Sequence, residues 1–313
     1  MAYTRFFDPT ALKRIHQLEL RARYIMEGFL SGMHRSPFFG NSAEFLQHRQ
    51  YIPGDEIRKI DWKIWGKQDK LYVKQFQEDT NLRATLLIDS SESMCYERLA
   101  PAENKKAKSS FTPGMSKYEY AATLAVSLAY LLLKQQDSVG AVRFDEKIRQ
   151  IIPQRTRQNH LNSLIQTLDI ETPSEKTDME PILRTAAETF PNRGMMILFS
   201  DLLVPREGFW NGLKALRSHR HDVIVFHILD DDELDFPFQG PSRFEGLETL
   251  DILRCNPRSL RAGYMEALNE YLEEIRTGCI QQNVDYVLVR TSDPFDKTLS
   301  KIVLSRRQTI KTA

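Results

Sequence analysis

Apolar and polar positions fall in blocks along this chain, and the period of the blocks changes from element to element. Residues 84–88, Ala-Thr-Leu-Leu-Ile, form an apolar run that stops abruptly at Asp89. Such a run is too short for a membrane and suits a strand buried on both faces of a parallel sheet. Similar strands are predicted at Ser138 to Phe144, at Met195 to Ser200 ending on Asp201, at Val223 to Leu229 and at Val284 to Val289. Lys147 to Ile152 follows the second of these at hairpin distance and reads as an antiparallel edge strand. Between the strands the period becomes helical. Lys117 to Lys134 is apolar almost all round, as for a deeply packed helix, and helices are also predicted at Asn159 to Leu168, Met179 to Phe190, Arg206 to His219, Leu260 to Cys279 and around Phe295 to Leu304. Ser242 to Arg254 reads as a short hairpin. Strands alternating with helices from residue 84 onward predict an α/β fold with a doubly wound, mainly parallel sheet flanked by helices.

The first eighty residues read differently. Residues 9–32 carry amphipathic helical spacing, and residues 34–76 are rich in Gly, Pro, aromatics and alternating charge, with one strand predicted at Leu71 to Phe76. The aromatics there (among them Phe38, Phe39, Phe45, Tyr51, Trp62 and Trp65) are too many for a solvated loop, so an ordered appendage is expected. The expected division is 1–80, a helix and aromatic/basic segment, and 81–313, the α/β domain. Residues 95–116, polar and basic with two prolines, read as an insertion beside Asp89.

Composition narrows the function classes. With 43 basic and 42 acidic residues the formal charge is +1, which gives no overall attraction to nucleic acid or to an anionic membrane. Cys95, Cys255 and Cys279 are odd in number and far apart, which points away from a disulfide framework or zinc knuckle. No signal-peptide pattern opens the chain and no apolar stretch is long enough to span a bilayer, so a soluble, cytoplasmic protein is expected.

Candidate chemistry begins at Asp89-x-Ser91-x-Ser93, a carboxylate and two hydroxyls on one short loop at a strand's carboxyl end, where open α/β sheets bind ligands. Oxygen donors of this kind suit Mg²⁺ or Mn²⁺ rather than Zn²⁺. By itself the pattern also describes a capped, serine-rich turn. Thr177, at a helix start, and Asp201, after another strand, could lie on the same sheet edge; Asp178 competes with Thr177 as helix cap or ligand. The acidic run Asp230 to Asp235 reads as a solvated loop, His219 and His221 as surface histidines without a third ligand, and Cys95 as an inert thiol.

The ordered set Asp89, Ser91, Ser93, Thr177 and Asp201 resembles the metal-ion-dependent adhesion site of von Willebrand factor A-type domains. That resemblance implies that Ser91 and Ser93 ligate the ion directly, Thr177 directly or through water, and both aspartates chiefly through water. An ion so held accepts a partner's Asp or Glu as its last ligand. A wider resemblance covers nearly the whole chain. Gly40, Glu44-Phe45, Arg49, Tyr51, Pro53-Gly54-Asp55, Arg58, Ile60-Asp61-Trp62-Lys63, Leu71-Tyr72-Val73-Lys74 and Asp89 to Met94 are similar to the bacterial family labelled domain of unknown function number 58. Where relatives carry Ala-Arg after the Asp-Trp pair, this chain has Trp65-Gly66. The family resemblance implies a MoxR-type AAA+ ATPase as partner, with a role in assembly or maturation of client proteins. The expected function is therefore a non-enzymatic interaction module whose cation bridges to an acidic partner residue. The alternatives are a metal-dependent hydrolase or phosphatase using the same ion, and a metal-free structural scaffold.

Overall fold

The computed structural model describes residues 45–51, 62–68, 71–76, 82–97, 115–157, 159–168, 178–245, 252–295 and 297–299. The predicted helix at 9–32, Thr177 and most of the 95–116 insertion lie outside them. In chain order the elements are β1 (Phe45–Gln50), α1 (Trp62–Gln68), β2 (Tyr72–Phe76), β3 (Arg83–Asp89), α2 (Lys117–Lys134), β4 (Ser138–Phe144), β5 (Ile148–Arg155), α3 (His160–Leu168), α4 (Met179–Thr189), β6 (Met195–Ser200), α5 (Arg206–Ser218), β7 (Asp222–Leu229), α6 (Asp231–Asp235), β8 (Ser242–Glu245), β9 (Ile252–Cys255), α7 (Pro257–Gln281) and β10 (Asp285–Arg290).

Six strands form one sheet in the order β10-β7-β6-β3-β4-β5. All neighbours are parallel except β4 and β5, so the edge hairpin expected after Phe144 is present. The five parallel strands run 2-1-3-4-5 counted from β3, a doubly wound order whose reversal lies between β3 and β6. At such a reversal the following loops part to opposite faces and leave a crevice at the carboxyl edge. Asp89 ends β3 and Asp201 follows β6, one on each side of it.

The period of two along the strands decides which helix layer each side chain meets. Ala84, Leu86 and Ile88 of β3, with Ile197 and Phe199 of β6, pack beneath α2 and α3. Leu87, Met196 and Leu198 face the opposite cluster, built with α4, α5 and α7. Phe199 and Phe226 are register partners on β6 and β7 and stack at 5.0 Å.

Two differences from the sequence expectations have clear causes. Residues 45–50 form a strand, paired antiparallel with β2, and Trp62–Gln68 is helical, although both fall in a stretch without usable periodicity. Short elements carry too few repeats to register a period. The 242–255 hairpin is present as β8 and β9. Among the described residues no helix is long and apolar enough to cross a membrane.

Candidate functional site

The turn after β3 is built by its own polar side chains. Ser90 fastens it to the next strand, its N–H and its hydroxyl both donating to the Phe144 carbonyl at 2.7 Å. The Ser91 N–H then donates to Asp89 Oδ1 at 3.0 Å, an aspartate bonding its own backbone two residues on. Fully buried Met94 anchors the short 3₁₀ turn Ser93–Cys95 in the core. This leaves the hydroxyls of Ser91 and Ser93 3.1 Å apart and both buried.

Across the crevice, the Ser200 hydroxyl donates to Asp89 Oδ2 at 2.6 Å and accepts from the Leu202 N–H at 3.0 Å, so it ties the two turns together. Leu202 has φ +54°, the left-handed region that a leucine rarely occupies. Its carbonyl is clamped by the Tyr271 hydroxyl at 2.6 Å. The Leu203 N–H donates to Asp201 Oδ1 at 3.2 Å. His227 Nε2 lies 2.9 Å from the Asp201 carbonyl, which can only accept, so Nε2 carries the proton and Nδ1 accepts from the Tyr286 hydroxyl at 2.8 Å. Burial lowers the His227 pKa to about 4, which keeps the imidazole neutral.

Asp89 and Asp201 are both buried. Burial first, and then the negative charge of Asp201, push the Asp89 carboxyl well above the usual carboxylate range, against the hydrogen bonds from Ser200 and Ser91 that pull it down. Held this way, the pair is short of positive charge.

Part of that charge comes from Lys117, the first residue of α2, which is 1% exposed. Its Nζ lies 2.8 Å from Asp201 Oδ2 and 2.7 Å from Glu233 Oε1. A cation at a helix N-terminus opposes the macrodipole. Burial alone would lower its pKa, but Asp201 and Glu233 offset this and hold it above the ordinary lysine value. Glu233 is fixed in turn by a capping box with Asp230. Sequence reading missed Lys117, Ser200, Glu233 and His227. A usable signal existed for the first: Ser116 and Glu119 form a capping box that starts α2 at Lys117, whose charge contradicts that position.

The donor set fits a small hard cation. Two cis oxygens around Mg²⁺ at about 2.05 Å are roughly 2.9 Å apart, close to the spacing of the Ser91 and Ser93 hydroxyls, and two carboxylates stand near them. Among the described residues no group of three or more His, Cys, Asp or Glu side chains is placed to hold a metal, so any cation here relies on the hydroxyls. Asp178 is the N-cap of α4, its Oδ1 accepting from the Glu180 N–H at 3.3 Å.

Two expectations are corrected. The first half of the acidic run is not solvated, although Asp235 is exposed: Asp230, Asp231 and Asp232 are buried, with Asp230 accepting from the Thr291 hydroxyl, Asp231 from Ser292 at 3.0 Å and Arg290 at 3.2 Å, and Asp232 from Tyr96 at 3.1 Å. A short capped helix at the strand end turns these carboxylates inward, which a charge count cannot foresee. His221 is also buried, at the start of β7 on the opposite edge of the sheet from Asp201, while His219 stays exposed. The Cys95 thiol is pushed up by burial and by Glu92 and Asp89, in keeping with an inert cysteine.

Uncharacterized proteins of Mycobacterium bovis and Mycobacterium tuberculosis are each 25% identical over 239 residues, covering 74% of this chain and 69% of theirs. Among solved structures, the conserved hypothetical protein BatB from Bacteroides thetaiotaomicron aligns at 17% identity and TM-score 0.42, covering 73% of this chain and 99% of that one. An aerotolerance-related membrane protein from Bacteroides fragilis aligns at 14% identity and TM-score 0.41, covering 72% and 99%. Residues 47–274 match the family described as "Protein of unknown function DUF58", and the chain belongs to that family.

Proposed function

We propose that this protein is a non-enzymatic interaction module of the von Willebrand factor A-like kind, in which Mg²⁺ or Mn²⁺ held by Asp89, Ser91, Ser93, Thr177 and Asp201 bridges to an acidic residue of a protein partner. In the same reading residues 81–313 are the cation-binding domain and residues 1–80 its appendage. The partner is a MoxR-type AAA+ ATPase or a client that the pair assembles or matures. The observation that carries the reading is the buried hydroxyl pair of Ser91 and Ser93, set 3.1 Å apart beside an Asp89 carboxyl that has no positive partner among the described residues. Hydroxyl donors leave a bound ion electron-poor, and such an ion gains most from an anionic last ligand. Binding is favoured over hydrolysis because His227, which touches the Asp201 turn, has both ring nitrogens engaged and, with its pKa lowered to about 4, is a weak base.

One observation favours a second reading, a metal-free scaffold: Lys117 already supplies a positive charge to Asp201. Calorimetric titration of the full chain with Mg²⁺ and Mn²⁺ separates the two. Saturable binding that is lost in Ser91→Ala supports the cation site; no heat with either ion, in a folded protein, supports the scaffold. Co-purification with a MoxR-type ATPase, with and without EDTA and with Asp89→Ala, then tests the bridge. Equal recovery under all conditions removes it.

A further inference from the structure

We propose that Lys117 is the resident counter-ion of this site, and that its ammonium sets how weakly the site holds a free divalent cation. The inference rests on the cation reading given above and adds to it a residue outside the five-residue set.

The geometry is specific. Lys117 Nζ bridges Asp201 Oδ2 and Glu233 Oε1, joining the loop after β6 to the one after β7, and it is all but inaccessible to solvent. A lysine whose task was only to neutralise one carboxylate would gain nothing from the N-terminus of an α-helix, where the dipole repels it. This position fixes the ammonium at the carboxyl edge of the sheet, on the aspartate that flanks the crevice. Ser116 and Glu119 lock that helix end and the Lys117 N–H donates to the Tyr96 carbonyl at 3.1 Å, which fixes its backbone, while burial and the two ion pairs hold the ammonium in place.

The consequence is electrostatic competition. A divalent ion seated on Ser91 and Ser93 draws on Asp201, directly or through water, and Asp201 already shares one oxygen with Lys117. The ion must either share that carboxylate with a fixed positive charge or turn it away from Lys117, and both weaken binding. Glu233 acts in the opposite sense: its charge offsets that of Lys117 and makes the edge more receptive to a cation. The two residues form one ion pair, yet they affect cation affinity with opposite signs.

That opposition is the test. Mg²⁺ and Mn²⁺ affinities are measured by calorimetry on the full chain for wild type, Lys117→Met and Glu233→Gln, with circular dichroism melts confirming that each is folded. Lys117→Met is expected to bind at least tenfold more tightly, a change of about 1.4 kcal/mol, and Glu233→Gln at least threefold more weakly. Adding Ser91→Ala to Lys117→Met is expected to abolish the gain, which ties it to this site. A purely structural ion pair would weaken binding in both single variants, and that result, or no change in either, overturns the proposal while leaving the cation reading intact. If wild type and Lys117→Met are both folded and neither binds either ion, the cation reading fails and this inference with it. Should Lys117→Met not fold, Lys117→Gln takes its place: tighter binding supports the proposal, and unchanged or weaker binding overturns it.

Discussion

Replacing Asp89 with asparagine should stabilise the cation-free protein above neutral pH. Asparagine keeps the shape: its carbonyl can accept from the Ser91 N–H, and its amide can donate to the Ser200 hydroxyl, which rotates to accept. What disappears is a buried negative charge facing Asp201. In the cation-free protein the Asp89 pKa is raised from 3.8 to about 7 by burial and by Asp201. A shift of about three units corresponds to a ceiling of about 4 kcal/mol. The folded value lies above the unfolded one, so Asp89 is least costly below the unfolded pKa and its penalty grows as pH rises through the folded value. The expected gain is therefore near zero only below the unfolded value of 3.8, grows as pH rises from there to about 7, and is at its plateau by about pH 8. Urea unfolding followed by circular dichroism, in EDTA at several pH values, reads it directly as a higher midpoint with unchanged slope. If Asp89 only capped its turn, asparagine would be neutral or mildly destabilising at every pH, because the two residues cap about equally well. An Asp89→Asn protein no more stable than wild type at about pH 8 would refute the reasoning. On the cation reading, Mg²⁺ should narrow the gap, since an ion at 100 times its Kd adds about 2.7 kcal/mol to wild type alone.

Three further outcomes are expected. Ser200→Ala removes the donor to Asp89 Oδ2 and leaves that buried oxygen unsatisfied, a loss of about 1–3 kcal/mol by urea unfolding at about pH 8. His227 has its pKa depressed from 6.5 to about 4, so its contribution is intact above 6.5 and is lost as pH falls toward 4. Wild type should then lose up to about 3 kcal/mol more than His227→Gln across that window; parallel pH profiles would show that His227 does not drive acid sensitivity. At Gly194, just before β6, an added Cβ would sit 2.5 Å from the Arg83 carbonyl oxygen on the neighbouring strand. Gly194→Ala should cost about 1–3 kcal/mol by separating β3 from β6, seen as a lower melting temperature; an unchanged melt would mean that the strands can part freely there.

The central sheet and most elements from β3 onward are legible in the pattern of apolar and polar positions. Apolar runs ending at Asp89 and Asp201 could only be buried strands, and period two within them divided Leu86 from Leu87 between the two helix layers. The sequence also determined that Asp89, Ser91 and Ser93 share one turn, because that geometry is local. What faces them depends on contacts between distant parts of the chain. Ser200 reaches Asp89 across 111 positions, Lys117 reaches Asp201 across 84 and Glu233 across 116. No periodicity encodes such pairings, since they depend on which strands become neighbours. The inward turn of Asp230 to Asp232 was hidden for the same reason: a run of carboxylates reads as solvated until Arg290, Thr291, Ser292 and Tyr96 are brought against it. The sequence thus specified which groups could hold a cation, and the fold decided that a lysine would already be standing beside them.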